Sequence, residues 1–229
     1  MKLLAVETST DACSAALFVD GELKERFELA PKQHTLKILP MIDALMAEAE
    51  LVPNQLDALA LSRGPGSFTG VRIATGVVHG IAFGLDIPVI PISTLAAIAE
   101  PFFQKNPVDY AFTALDARMG EIFWGIYRNQ HAQGVELLGI ESVGVAQDVI
   151  IPDEVTQGVG IGSAWNVYRN ELSDVLDDQL LDIQPDCWPR AAAVARLGVL
   201  GYDRYEAVPV ELALPVYLRD KVAKKESER

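Results

Sequence analysis

The stretch Gly64-Pro65-Gly66-Ser67-Phe68-Thr69-Gly70-Val71-Arg72 is where residue types and spacing first invite chemistry. It follows a short apolar run and opens an apolar helical pattern. Free backbone N–H groups and the positive end of a helix dipole would then be presented together, an arrangement that favours an anion. Gly64, Gly66, Ser67 and Gly70 are the candidate contacts for a phosphate or nucleotide. The loop is not a P-loop, because the chain has no GxxxxGK[ST] pattern and no lysine is placed to reach a phosphate. The competing reading is a tight turn whose glycines supply unusual backbone angles, with Ser67 or Thr69 capping the helix.

Two carboxylates, Glu7 and Asp116, each end an apolar run just before a turn. Facing one another across a cleft they could hold a hydrated Mg²⁺; as strand-end residues they would simply bond turn amides. His34, His79 and His131 have no HxxxH, HExxH or Cys/His spacing. Ser67 lacks the GxSxG context of an activated nucleophile. Cys13 and Cys187 lie far apart and read as small buried hydrophobes in a reducing compartment.

The elements that must position these groups begin as a meander. Residues 2–8, 12–19 and 22–29 read as strands, with Asp20-Gly21 marking a tight hairpin. A helix over 35–50 follows, with Pro40 inside it. A buried strand over 57–62 leads into the glycine loop, a helix over 69–85, a strand over 87–92 and a helix that Ser93 can cap. In the helix after the loop, Gly76, Gly80 and Gly84 recur every four residues, and interior glycine costs about 1 kcal/mol relative to alanine. Close packing must offset that, on the chain's own sheet or against another subunit. After Pro107 the pattern restarts, with strands over 110–116, 121–128 and 135–140. The sequence reads as a weak duplication with its boundary near 104–108. A further helix covers 189–202.

The chain has 229 residues, half of them hydrophobic, and a net charge of −13. That surface repels phosphate backbones, so nucleic acid would need a basic partner to deliver it. Residues 136–186 carry eleven acidic groups against one basic, Arg169, and read as a solvated face, whereas the tail 219–229 is basic and expected to be disordered. The apolar stretch 71–85 is too short for a membrane span, which takes about 20 residues. A cytoplasmic protein without a membrane partner is expected.

Several motifs in order, LLAVETSTDACSAALFVDG, HTLKILPMID, SRGPGSFTGVRIATGVVHGIAFG, ALDARMGEIFWGIY and PVYLRDKVAKK, resemble the TsaB (YeaZ) family. The resemblance implies an α/β, actin/sugar kinase/Hsp70-like (ribonuclease H-like) fold of two related subdomains with mixed sheets flanked by helices. The subdomains would cover 1–106, carrying the partner interface, and 107–218, followed by the basic tail. It implies a non-catalytic subunit for threonylcarbamoyl transfer to N6 of adenosine 37 in ANN-decoding tRNAs. Such a subunit dimerises with and activates the paralogous enzyme TsaD, is joined by the ATPase TsaE, forms homodimers when alone, and meets tRNA only within the complex. The segment aligned with TsaD's metal-binding histidines has Thr94 and Ile98 in their places. No intrinsic cofactor is implied, although ATP or ADP could bind where the partners meet. The interface is expected on the two N-terminal-half helices, at Val71, Ala74, Val78 and Ile81 with Leu39 and Ile42. The rival readings are a stand-alone ATP-dependent phosphotransferase and, further off, a metallopeptidase.

Overall fold

The computed structural model describes residues 1–219; apart from Arg219, the expected basic tail lies outside the described residues. Strands β1 (Lys2–Glu7), β2 (Ala12–Val19) and β3 (Glu22–Leu29) form the meander. Asp20 and Gly21 take φ of 49° and 104°, the left-handed pair that a two-residue hairpin needs. Helix α1 (His34–Glu48) runs through Pro40. Strand β4 (Ala58–Ser62), helix α2 (Phe68–Leu85), strand β5 (Val89–Ile92) and helix α3 (Thr94–Phe103) complete the first half. The first sheet has the order β3-β2-β1-β4-β5, with β1 antiparallel to β2 and parallel to β4.

The second half repeats this plan with β6 (Tyr110–Arg118), β7 (Glu121–Asn129), β8 (Val135–Gly144), β9 (Gly158–Ile161) and β10 (Leu180–Gln184). Its order is β10-β9-β6-β7-β8, with β6 antiparallel to β7 and parallel to β9. The restart after Pro107 is therefore a repeat of one five-stranded topology. Helix α4 (Arg169–Leu176) lies between β9 and β10, and helix α5 (Ala191–Asp203) follows. Strand β8 is longer than the 135–140 expected, and Arg190 rather than Pro189 adjoins the first helical residue of α5.

The strands alternate between two cores, as a period of two requires. Leu4, Val6, Leu59 and Leu61 face α1 and α2, while Leu3, Ala5, Ala58 and Ala60 face α5. In the second sheet Phe112, Ala114, Trp124 and Ile126 face α4, while Ala111, Leu115 and Tyr127 face α3. Helices α3 and α5 are thus exchanged: each follows the strands of one sheet and covers the other. A cut between residues 106 and 107 separates the strands but not these helices. Within the middle layer, Arg196 Nε and Nη2 donate to the two carboxylate oxygens of Glu100 at 2.6 and 2.7 Å, joining α5 to α3. Arg190 and the Ala192 amide hold Glu25 of β3 in the same way.

In most of the acidic run, carboxylates such as Asp153, Asp174, Asp178 and Asp182 face water. Glu141 is instead drawn into a half-buried cluster.

Glycine space separates two kinds of helix position. A Cβ on Gly198 of α5 would lie 2.8 Å from Ala60 Cβ and 3.3 Å from Leu3 Cδ1, whereas one on Gly76 of α2 would meet nothing within 4 Å. Gly198→Val should lower unfolding stability by about 1–3 kcal/mol through overpacking. Gly76→Ala should raise it by about 0.5–1 kcal/mol through helix propensity. Urea denaturation of the two variants gives both signs, and equal effects would contradict the packing described.

Candidate functional site

A cleft of about 630 Å³ opens between the two sheets. The turn after β1, the loop before α2 and the β6–β7 hairpin form its walls, and residues 216–219 cross it. The glycine loop is seated on the β1–β2 turn. A Cβ on Gly66 or Gly70 would collide with the carbonyl oxygens of Ser9 and Thr8 respectively, so only glycine permits the approach. Ser67 N donates to Ser9 O at 2.7 Å, Gly70 N to Ser67 Oγ at 3.3 Å and Thr8 Oγ1 to Gly70 O at 2.7 Å. The amides of Ser67 and Gly70 are thereby spent on the protein itself. Gly66 and Ser67 line the cleft, while Gly64 and Gly70 do not. Gly64 lies under the Val216 carbonyl with φ at 100°. This arrangement is the tight-turn reading of the loop, with Ser67 as the helix cap.

Asp116 lines the cleft, but Glu7 does not. The expected pair of carboxylates is therefore not presented there. Asp116 accepts from the Arg118 amide at 2.8 Å and from its guanidinium at 3.0 Å. Glu7 has no exposed surface. One carboxylate oxygen accepts from Ser9 N and Ser9 Oγ, both at 2.5 Å, and the other has no hydrogen-bond partner among the described residues. Ser9, Ser62 and Thr94 continue the network, with Thr94 Oγ1 at 2.7 Å from Ser62 Oγ and 3.1 Å from Ser9 Oγ. Burial pushes the Glu7 carboxyl above its ordinary value, and the nearby Ser62 and Ser9 groups only partly offset it. Burial, with the Glu7 charge next in importance, pushes the neighbouring Cys13 thiol up to about 11.

A second polar cluster could not be read from the sequence, because its members lie on three elements. Tyr127 OH donates to Glu141 Oε1 at 2.6 Å, and Ser93 Oγ donates to the same oxygen. Ser93 also caps α3 by accepting from the amides of Leu95 and Ala96. Burial first, and Glu141 second, raise the Tyr127 phenol well above its ordinary value.

The expected interface positions separate sharply. Ala74, Val78 and Ile42 are buried in the first sheet's own outer core and Val71 is buried beside the cleft, so they are not available to a partner. Ile81 is partly buried against the same core, whereas Leu39 is half exposed. The reason is angular: at about 100° per residue, 71, 74, 78 and 82 share the sheet-facing side of α2. Its outer side carries Phe68, Arg72, Gly76, Gly80 and Phe83, with Phe83 at 77% exposure. On α1, Leu36 is 72% exposed. By length and a mean hydropathy of 1.3 alone, the 18-residue α2 could cross a membrane. In the fold, six of its residues are built into the core instead.

Residues 28–227 match the family model of TsaD, tRNA N6-adenosine threonylcarbamoyltransferase. The tRNA threonylcarbamoyladenosine biosynthesis protein TsaB of Escherichia coli K12 is 38% identical over 97% of this chain and 96% of its own length. The chain belongs to the TsaB family. Its Haemophilus influenzae relative of the same name is 35% identical over 97% of this chain and 95% of its own length. A crystal structure from Pseudomonas aeruginosa, described as an uncharacterized protein with similarity to peptidase YEAZ, has a TM-score of 0.89 at 37% identity, covering 95% of this chain and 99% of that one. These likenesses and the paired mixed sheets give an actin/sugar kinase/Hsp70-like, ribonuclease H-like fold.

The TsaB resemblance aligns Thr94 and Ile98 with the metal-binding histidines of TsaD. Thr94 is fully buried in the hydroxyl network, and Ile98 is fully buried among Leu95, Phe102 and Leu115. One position offers a hydroxyl already bonded twice and the other a hydrocarbon, so these residues do not fit a metal ion. Among the described residues there is no cluster of three His, Cys, Asp or Glu side chains able to hold one elsewhere.

The network has a pH signature. Because the folded carboxyl of Glu7 titrates above its ordinary 4.5, the folded chain holds a proton that the unfolded chain releases. The contribution of Glu7 to stability then falls as pH rises above about 4.5 and levels once Glu7 ionises in the fold. In thermal melts, Glu7→Gln should gain on wild type with rising pH across that window. Parallel curves would show that Glu7 does not titrate there.

Proposed function

We propose that this chain is the non-catalytic subunit of threonylcarbamoyl transfer to adenosine 37 of tRNA, acting by docking on a TsaD-family enzyme. The observation that carries this reading is a contrast between two sites. Thr94 and Ile98, which the resemblance pairs with the enzyme's metal ligands, are buried, while the outer sides of α1 and α2 expose Leu36, Leu39, Phe68 and Phe83. Gly76, Gly80 and Gly84 have open space above them, which lets the backbone of a facing helix approach closely. Phe83 on the same helix and Leu36 on α1 are both exposed and would each contribute about 1.5–3 kcal/mol on full burial.

The same face would join two copies when the enzyme is absent, since a partner built on the same fold presents an equivalent surface. The net charge of −13 keeps the isolated chain from tRNA, so tRNA is met only within the assembly, with the ATPase TsaE joining the pair. The cleft is within the size range of small-molecule sites. An adenine nucleotide shared with the partner remains its candidate ligand, without an intrinsic cofactor of the chain. The reaction belongs to the cytoplasm, where tRNA is modified.

Threonylcarbamoylation reconstituted with the other subunits should collapse when this chain is omitted and return when it is restored; full modification without it rejects the role. Phe83→Glu should leave the monomer folded, because the side chain is 77% exposed, yet abolish co-elution with the enzyme. Phosphate release from MgATP by the isolated chain would favour the phosphotransferase reading instead.

A further inference from the structure

Two motifs stand outside that function, Asp116-Ala117-Arg118-Met119-Gly120-Glu121 and Pro215-Val216-Tyr217-Leu218-Arg219, and the fold brings them together. The second begins on the docking helix. His79 Nε2 donates to Ala213 O at 2.9 Å, and Ala213 is fully buried in the outer core. Val216 N donates to Arg63 O at 2.8 Å, fixing the segment to the end of β4. The Tyr217 ring lies 5.9 Å from that of Phe68, and the Arg72 guanidinium carbon sits 3.4 Å from the Phe68 centroid and 5.2 Å from that of Tyr217.

The far end reaches the other half. Arg219 Nη2 donates to the Glu121 carboxylate and, at 3.3 Å, to Arg118 O; Nη1 lies 3.9 Å from Met119 Sδ. These contacts hold a hairpin tip in which Arg118, Met119 and Gly120 all have positive φ, at 63°, 59° and 82°. The Arg219 side chain is 19% exposed, so its ion pair is screened less than a surface pair.

Arg72 supplies the link to docking. It lies in the first turns of α2, where the helix dipole disfavours a cation, and it has no ion pair among the described residues of a chain with 32 acidic groups. Two half-exposed aromatic rings hold it instead. A partner covering the outer side of α2 from Phe68 to Phe83 therefore covers Arg72, and with it Tyr217.

Resting on the docking reading above, we propose that residues 213–219 form a clasp across the cleft. Docking of a TsaD-family enzyme on α2 presses on the Phe68–Arg72–Tyr217 stack, and the clasp carries that to the β6–β7 hairpin through Arg219. Cleft width and docking are then two readings of one equilibrium, and the coupling is reciprocal.

Hydrogen exchange resolved by peptide tests the clasp in the free chain. Arg219→Ala should accelerate exchange both at residues 116–121 and across the cleft at 63–72, and the charge-exchanged pair Arg219→Glu with Glu121→Arg should reverse part of it. Acceleration confined to 116–121 overturns the clasp. With the purified enzyme, docking should slow exchange at 116–121 in the wild type. Arg219→Ala should raise the dissociation constant by about fivefold or more. An unchanged constant, or an unchanged hairpin in the complex, overturns the coupling. Failure of the wild type to associate at all rejects the docking reading, and the free-chain experiment still decides the clasp.

Discussion

The exchange of α3 and α5 is the constraint on which the rest of the molecule depends. A mixed sheet must cover both faces with something apolar, and here the inner face of each sheet is covered by a helix that the other half of the chain supplies. Neither half can bury its inner face alone. The bidentate Arg196–Glu100 pair fixes how the two helices meet, and its carboxylate is too buried to be left without that partner. Because the middle layer is used in this way, the outer face of the first sheet is left to α1 and α2, whose far sides then face outward.

The buried polar network is the second consequence of that middle layer. Helix α3 begins at Thr94, directly beneath the β1–β2 turn, and brings its first hydroxyl to Ser9 and Ser62. Glu7 ends β1 in the same place without access to water. A carboxyl there is tolerated only with hydrogen bonds and a shifted titration, since an unpaired ionised group in such a site costs several kcal/mol. The glycine loop closes over this network through its contacts with Thr8 and Ser9.

What distinguishes the outer surface is the division of α2 into two apolar sides. The inner side carries Ala74, Val78 and Ala82, packed on the first sheet, and Val71, buried beside the cleft. The outer side carries two phenylalanines, three glycines and one arginine, a set that gives area, close approach and a single directional charge. The net charge of −13 is unfavourable to polyanions.

Much of the architecture was legible in the residues. The Asp20-Gly21 hairpin, the alternation of the meander and the restart after Pro107 are local signals, set by side chains a few positions apart. Strand β9 and helix α4 were not legible: Gly158 and Gly160 give no β pattern, and α4 is short and polar. The sequence also made α2 apolar nearly all round, and a helix without a polar side has no periodicity to say which residues turn inward. Only contact with β1 and β4 decided that Val78 is core and Phe83 is surface. The same holds for the Ser67 amide, taken up by a turn some sixty residues earlier, and for the helix exchange, because local pattern sets what an element is while burial depends on whatever distant element comes to lie against it.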